Sequence, residues 1–169
     1  MSTASKHSPK IYTKTDFFIS TDPQLLDFST VYQYLSEQSY WARGRSRKLV
    51  ELSIKKSVCF GVYKGIAGSP VQVGFARVIS DFATFAYLAD VFILPEYQSQ
   101  GLGKWLVSTI LNYPELQLVG RWALFTKDAQ DLYRQFGFDI EQDPQMFMSY
   151  RPHRPKNRTP DQLIPKPTE

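Results

Sequence analysis

Between Asp90 and Val107 the chain is committed to a strand, a sharp turn and a helix, in that order. Val91 to Leu94 is a short apolar run, and Pro95 ends it because proline has no N–H to give a sheet ladder. Gln98-Ser99-Gln100-Gly101-Leu102-Gly103 then brings bare backbone to a helix N-terminus. The first N–H groups of a helix lack intrahelical partners and the helix dipole is positive there, so such a segment suits a phosphate. Spacing removes two nucleotide motifs. A dinucleotide fingerprint needs a third glycine where Leu106 stands. A P-loop needs a glycine at Gln98 and a hydroxyl residue at Trp105.

The chain has 169 residues, which is one domain with room for a core. An apolar fraction of 43% fits a globular protein rather than a disordered one. No apolar run approaches the ~20 residues that span a bilayer, so no membrane is expected as partner. Residues 1–10 lack the apolar stretch of a secretory signal. The single Cys59 excludes an internal disulfide and fits a reducing, cytoplasmic compartment. The net charge of +4 belongs to the ends. Residues 1–16 carry +2, residues 151–169 carry +3, and the body between carries −1. A nucleic-acid-binding domain should show its basic face on the folded part, so no nucleic-acid partner is expected.

Phe17 to Ser20 reads as a first strand. An amphipathic helix is expected over 24–38, capped by Thr21 or Asp22 with Pro23 in its first turn. A second helix follows over 46–56, then strands at 58–63, 72–80 and 84–94, the last two as a hairpin across Asp81-Phe82-Ala83. The glycine-led helix stops before Pro114, and 122–125 is a short strand. Ala129, Leu132, Tyr133 and Phe136 form one helical stripe that Gly137 ends. Gln145 to Tyr150 reads as a final strand. The order predicts an α+β domain with a mixed sheet over 17–150, a short extension before it and a basic, proline-rich tail after it.

Two segments resemble one family. Gln98-x-x-Gly101-x-Gly103, behind a strand ending in Ile-Leu-Pro-Glu-Tyr, resembles the acetyl-CoA loop of the GCN5-related N-acetyltransferase (GNAT) superfamily. Thr126-x-x-Ala129-x-x-Leu132-Tyr133-x-x-x-Gly137-Phe138 resembles its second cofactor segment, with Thr126 in place of the usual Asn. The resemblance implies a small, bacterial-type single-domain member with the acyl-CoA N-acyltransferase fold: a mixed, mostly antiparallel sheet flanked by helices. It implies acetyl-CoA as cofactor. Gln98, Ser99, Gln100, Gly101, Leu102, Gly103 and Lys104 would hold its pyrophosphate. The backbone of Val91, Phe92 and Ile93, with Thr126, Ala129 and Tyr133, would hold its pantetheine arm. A homodimer is common in the family.

Direct acyl transfer to an amine also needs oxyanion stabilisation and a way to release the thiolate. A backbone N–H at the end of the 84–94 strand would serve the first. Tyr133 would serve the second. Full proton transfer from a phenol near ~10 to a thiolate near ~8.5 is uphill by about 2 kcal/mol, so a strong hydrogen bond is the milder alternative. Asp90 is the candidate for binding the acceptor ammonium or relaying its proton, and Tyr87 for holding a water. Tyr40, Trp41 and Arg43 in a loop, with Phe82 and Phe85 near the hairpin, are candidate acceptor contacts. They suggest a small-molecule amine. A peptide acceptor and a CoA-binding module without turnover are the alternatives. His7 and His153 both lie in the tails, so a Ser-His-Asp or Cys-His nucleophile is not expected, and no Cys/His cluster has metal-ligand spacing.

Overall fold

The computed structural model describes residues 8–65, 69–150 and 160–163. Among them, six strands form one sheet in chain order: β1 (Ile11–Lys14), β2 (Phe17–Ser20), β3 (Val58–Lys64), β4 (Val71–Ser80), β5 (Phe85–Ile93) and β6 (Arg121–Ala123). Neighbours run antiparallel up to β5, and β6 runs parallel to β5. The sheet is therefore mixed and mostly antiparallel, as expected from the sequence.

Helices cover both faces. On one lie α1 (Phe28–Gln33), which continues as a π-turn over Tyr34–Gln38, and α2 (Arg47–Lys55). Val31, Leu35, Ala42 and Val50 pack there on Phe75 and Phe92. On the other lie α3 (Leu102–Leu111) and α4 (Gln130–Arg134), where Leu106, Val107, Ile110 and Tyr133 meet Ile19, Phe60, Val62, Val78 and Leu88. Two-sided cover explains why all four residues of β2 are buried.

Local chemistry sets the ends. The Asp27 carboxylate accepts from the N–H of Ser29 at 3.0 Å and of Thr30 at 3.2 Å, and so caps α1. Its own N–H is fixed by Gln72 Oε1 at 2.8 Å. This long-range anchor explains why the helix starts at 28 and not at 24. Thr21 and Asp22 do not cap it; Asp22 instead closes a turn on the Gln24 N–H at 2.9 Å. Ser46 caps α2, as its expected start implies. In the β4–β5 hairpin, Asp81 accepts from the N–H groups of Ala83, Thr84 and Phe85. The Thr84 hydroxyl, then those backbone bonds, hold its carboxyl well below the usual range.

Two expectations fail. Ile11–Lys14 is not an extension but the first strand of the sheet, paired residue for residue with β2. Gln145 to Tyr150 is not a strand. Pro144–Met146 forms a single 3-10 turn, and Met146, Phe147, Met148 and Tyr150 are exposed. Its apolar residues have no partner strand among the described residues. Of the tail, Pro160–Leu163 forms a 3-10 turn whose Asp161 accepts from the Ser46 hydroxyl. The rest of the tail, with His153, and residues 1–7, with His7, lie outside the described residues.

Asp27→Ala should cost about 1 kcal/mol of stability in urea unfolding at pH 7. Hydrogen bonds, the Thr30 hydroxyl first, hold the Asp27 carboxyl below its usual range. Its contribution is therefore present above the ordinary carboxylate pKa and lost as pH falls through the lowered one, so the difference between wild type and variant should close in acid. A gap that persists unchanged at pH 2 contradicts the capping account.

Candidate active site

β5 and β6 pair only over Phe85–Tyr87 and Arg121–Ala123. Beyond them the strands part, and the second half of β5 has no neighbour on that side among the described residues. Leu94 N–H donates to Val73 O at 2.8 Å, towards β4. Residues alternate along a strand, so Phe92 also faces β4, where it pairs with Phe75, and Ile93 faces the open side. Phe92 therefore does not offer its backbone to the cleft, contrary to the sequence expectation. Its side chain is stacked under Tyr34 with ring centroids 3.9 Å apart. Val91 lies in a bulge, half-buried.

Gln98 closes the turn after β5. Its Nε2 donates to Ile93 O at 2.9 Å and ties the loop to the open strand edge. The chain then passes through Ser99 at φ 62° and Gly101 at φ 75° before entering α3. A left-handed residue at Gly101 turns the following N–H groups outward, and glycine takes that conformation without penalty. No side chain caps α3, and its first turn holds no acid. The N–H groups of Ser99 to Gly103 have no acceptor among the described residues. A Cβ on Gly103 would meet nothing closer than Ile93 Cγ1 at 4.0 Å. The protein itself does not demand glycine there; the free space faces outward. Lys104, also exposed, follows in the first turn.

Tyr133 comes up on α4, 8% exposed, its ring edge-on to Phe138. Burial first, then Tyr40, Asp128 and Tyr87, pushes its hydroxyl up to about 12. It is thus a proton-bearing donor across neutral pH. Ala129 precedes α4, and its N–H donates to the Thr126 hydroxyl at 3.0 Å. The Thr126 hydroxyl is thus engaged just ahead of α4 and keeps its O–H and one lone pair to offer elsewhere.

Asp90 differs most from its sequence reading. β4 and β5 slip by one residue here: Phe75 faces Phe92, yet Arg77 faces Ala89. The extra residue makes a β-bulge, with Asp90 at φ 53°. The side chain is buried and fully engaged. Arg77 Nε donates to Oδ2 at 2.6 Å, Arg45 Nη1 to Oδ2 at 3.0 Å, and Trp41 Nε1 to Oδ1 at 3.0 Å. Two guanidiniums outweigh one carboxylate, so Asp90 does not stand as a free anion for an ammonium. Arg77 also donates to the Ser57 hydroxyl at 3.1 Å. Arg77 and Arg45 were missed in the sequence. An arginine inside the apolar run 71–80 was the available signal, because a buried cation requires a partner.

The loop after the π-turn crosses the same face. The Tyr40 hydroxyl donates to Asp128 Oδ1 at 3.2 Å and accepts the Lys127 N–H at 2.9 Å. Tyr40 and Trp41 meet edge-to-face at 5.0 Å. Tyr87 lies beside Phe125, and burial raises its hydroxyl above the usual value. Tyr40, Trp41, Asp90, Tyr87 and Tyr133 are thus gathered around the open edge of β5. Phe85 is exposed on β5, where it pairs with Arg121 of β6. Arg43 lines a separate cavity of about 430 Å³ with Trp41, Arg45 and Asp161. Phe82 does not join them; it packs into the α3-side core. Cys59 accompanies α2, and burial pushes its thiol up to about 12. No group of three or more Cys, His, Asp or Glu among the described residues could hold a metal. None of their helices is long and apolar enough to cross a membrane.

A bulged central strand, splayed from its parallel neighbour and followed by a bare helix N-terminus, defines the acyl-CoA N-acyltransferase fold. A family model described as an acetyltransferase (GNAT) domain matches residues 55–140. A Gibberella zeae protein classed as an acetyltransferase is 34% identical over an alignment of 145 residues, and the match covers 74% of this chain and 80% of that one. The crystal structure of a Xanthomonas campestris protein assigned to the GNAT family is 41% identical; the match covers 80% of this chain and 92% of that chain with a TM-score of 0.74. A GNAT acetyltransferase from Elizabethkingia anophelis, solved with acetyl-CoA bound, shares the fold at a TM-score of 0.55 with 15% identity over 76% of this chain and 80% of its own. The chain belongs to the GNAT family and is an acetyl-CoA-dependent acetyltransferase.

Replacing Asp90 by Asn strands the buried Arg77, so D90N should lose about 3 kcal/mol in denaturant unfolding. Arg45→Ala, at the half-exposed partner, should lose about 1 kcal/mol. D90N no less stable than R45A would contradict the tether. Cys59 should react with a disulfide reagent at pH 8 only on unfolding; rapid labelling of the native protein would place it elsewhere.

Proposed function

We propose that this protein transfers the acetyl group of acetyl-CoA directly to a primary amine of a small molecule, with no covalent enzyme intermediate. The observation that carries the reading is the open edge of β5, which runs into the uncapped start of α3 through the Gln98 turn. The N–H groups of Ser99 to Gly103 hold the pyrophosphate, with Lys104 beside them. Val91 and Ile93 are the β5 backbone positions left for the pantetheine arm and for an oxyanion. Bound acetyl-CoA supplies the electrophilic thioester carbonyl. Tyr133, kept protonated by burial, hydrogen-bonds the departing sulfur. Direct transfer fits the raised Cys59 thiol, which is a poor nucleophile at neutral pH.

The acceptor side supports a small amine. Tyr40 ties the loop over this face to the Lys127–Asp128 turn, a link that supports a bounded acceptor space. Trp41 and Tyr87 would give it aromatic walls, and Tyr87 would hold a water. Asp90 acts through Trp41 and Arg45 as a positioning residue. Exposed Phe125, Phe147 and Met148 support a homodimer, and the unpaired Cys59 supports a cytoplasmic location.

A library of amines and peptides, assayed by release of CoA thiol, tests the reading. Small primary amines should be acetylated and peptide N-termini and lysines should not; the reverse pattern overturns the small-molecule acceptor. Tyr133→Phe should lower kcat by about 10- to 100-fold with CoA affinity nearly unchanged. An unchanged kcat removes Tyr133 from thiolate release.

A further inference from the structure

The strand that the sequence hid carries a lysine to the phosphate loop. Lys14 ends β1, and its Nζ lies 4.0 Å from where a Cβ on Gly101 would stand. It also lies 5.8 Å from the centre of the Trp105 ring, on the first turn of α3. Lys14 is exposed and has no carboxylate partner among the described residues. An ammonium there faces the positive end of a helix that has neither a side-chain cap nor an acid in its first turn. Like charges repel, and that alone opposes the placement. Lys64, from β3, adds to the imbalance: its Nζ is 5.5 Å from the ring of Tyr97, in the turn leading to the loop. Lys104 is a third cation. Three lysines from three separate elements thus surround one loop of outward N–H groups, and exposed Glu96 is the one carboxylate of that turn.

Building on the cofactor reading above, we propose that Lys14 is a phosphate-binding residue. It reaches over the loop from the edge strand and closes on the phosphate-bearing half of CoA opposite the backbone N–H groups. Trp105 holds the lysine stem and offers its ring face to the ammonium, so little side-chain freedom is lost on binding. The residue selects for the phosphorylated cofactor over a thioester that lacks the nucleotide, and it takes no part in the acyl-transfer step.

The test is calorimetric titration of the full chain with CoA at two salt concentrations. Lys14→Met keeps the stem on Trp105 and removes the charge; Lys14→Arg keeps the charge. Lys10→Met is the control, since Lys10 stands over Tyr113 at the far end of α3 and shares the same edge of the sheet. K14M should weaken CoA binding by about tenfold and flatten its salt dependence, with K14R and K10M close to wild type. K14M should raise the KM for acetyl-CoA by about tenfold, and that gap between K14M and wild type should disappear with acetyl-pantetheine, which lacks the nucleotide. Wild-type binding with K14M equal to it in affinity and salt dependence overturns the role of Lys14 alone. An equal loss in K10M makes the effect one of strand integrity and overturns it too. No CoA binding by the wild type sinks the cofactor reading, and this inference with it.

Discussion

The extra residue in β5, and the ion pair that holds it, is the constraint on which the site depends. A bulge breaks the ladder and bends the strand. Here the bend falls where β5 must leave β6 and open an edge. Left-handed backbone at an aspartate carries strain, and Arg77 at 2.6 Å, with Arg45 and Trp41, over-determines it. Gly74 belongs to the same device. A Cβ there would lie 2.9 Å from Phe92 O, so only glycine lets β4 approach β5 beside the bulge. The tether also reaches the loop of Tyr40 and Trp41, so that loop is fixed to the strand that bears the open backbone.

The second theme is charge that the protein leaves uncompensated. The buried Arg77 is paired with Asp90, as desolvation requires. Around the start of α3 the opposite holds: a helix end without cap or acid, two left-handed residues that turn N–H groups outward, and lysines drawn in from β1 and β3. Such an arrangement is costly alone and favourable around a polyanion. The contrast separates the two functions of the site. Asp90 and its partners hold shape, and in the proposed function the loop before α3 holds ligand.

Local periodicity made much of this legible. The Leu102–Leu111 helix, the Asp81 hairpin and Tyr133 on α4 all follow from spacing and turn chemistry. What depended on contacts between distant residues did not. β1 is four mostly exposed residues with no apolar alternation, so pairing with β2 alone makes it a strand. The start of α1 depends on Gln72, 45 residues away. The Gln145–Tyr150 pattern has strand composition, but no strand of the described sheet pairs with it. Asp90 was found by its position, but its partners Arg45 and Arg77 are 45 and 13 residues distant, so its role was misread.

The most direct measurement is amide NMR during titration with CoA. The account predicts large shifts and slowed exchange for the N–H groups of Ser99, Gln100, Gly101, Leu102, Gly103 and Ile93. The amide of Leu94, already bonded to Val73, should change little. Saturable CoA binding that leaves the 99–103 amides unmoved would contradict it.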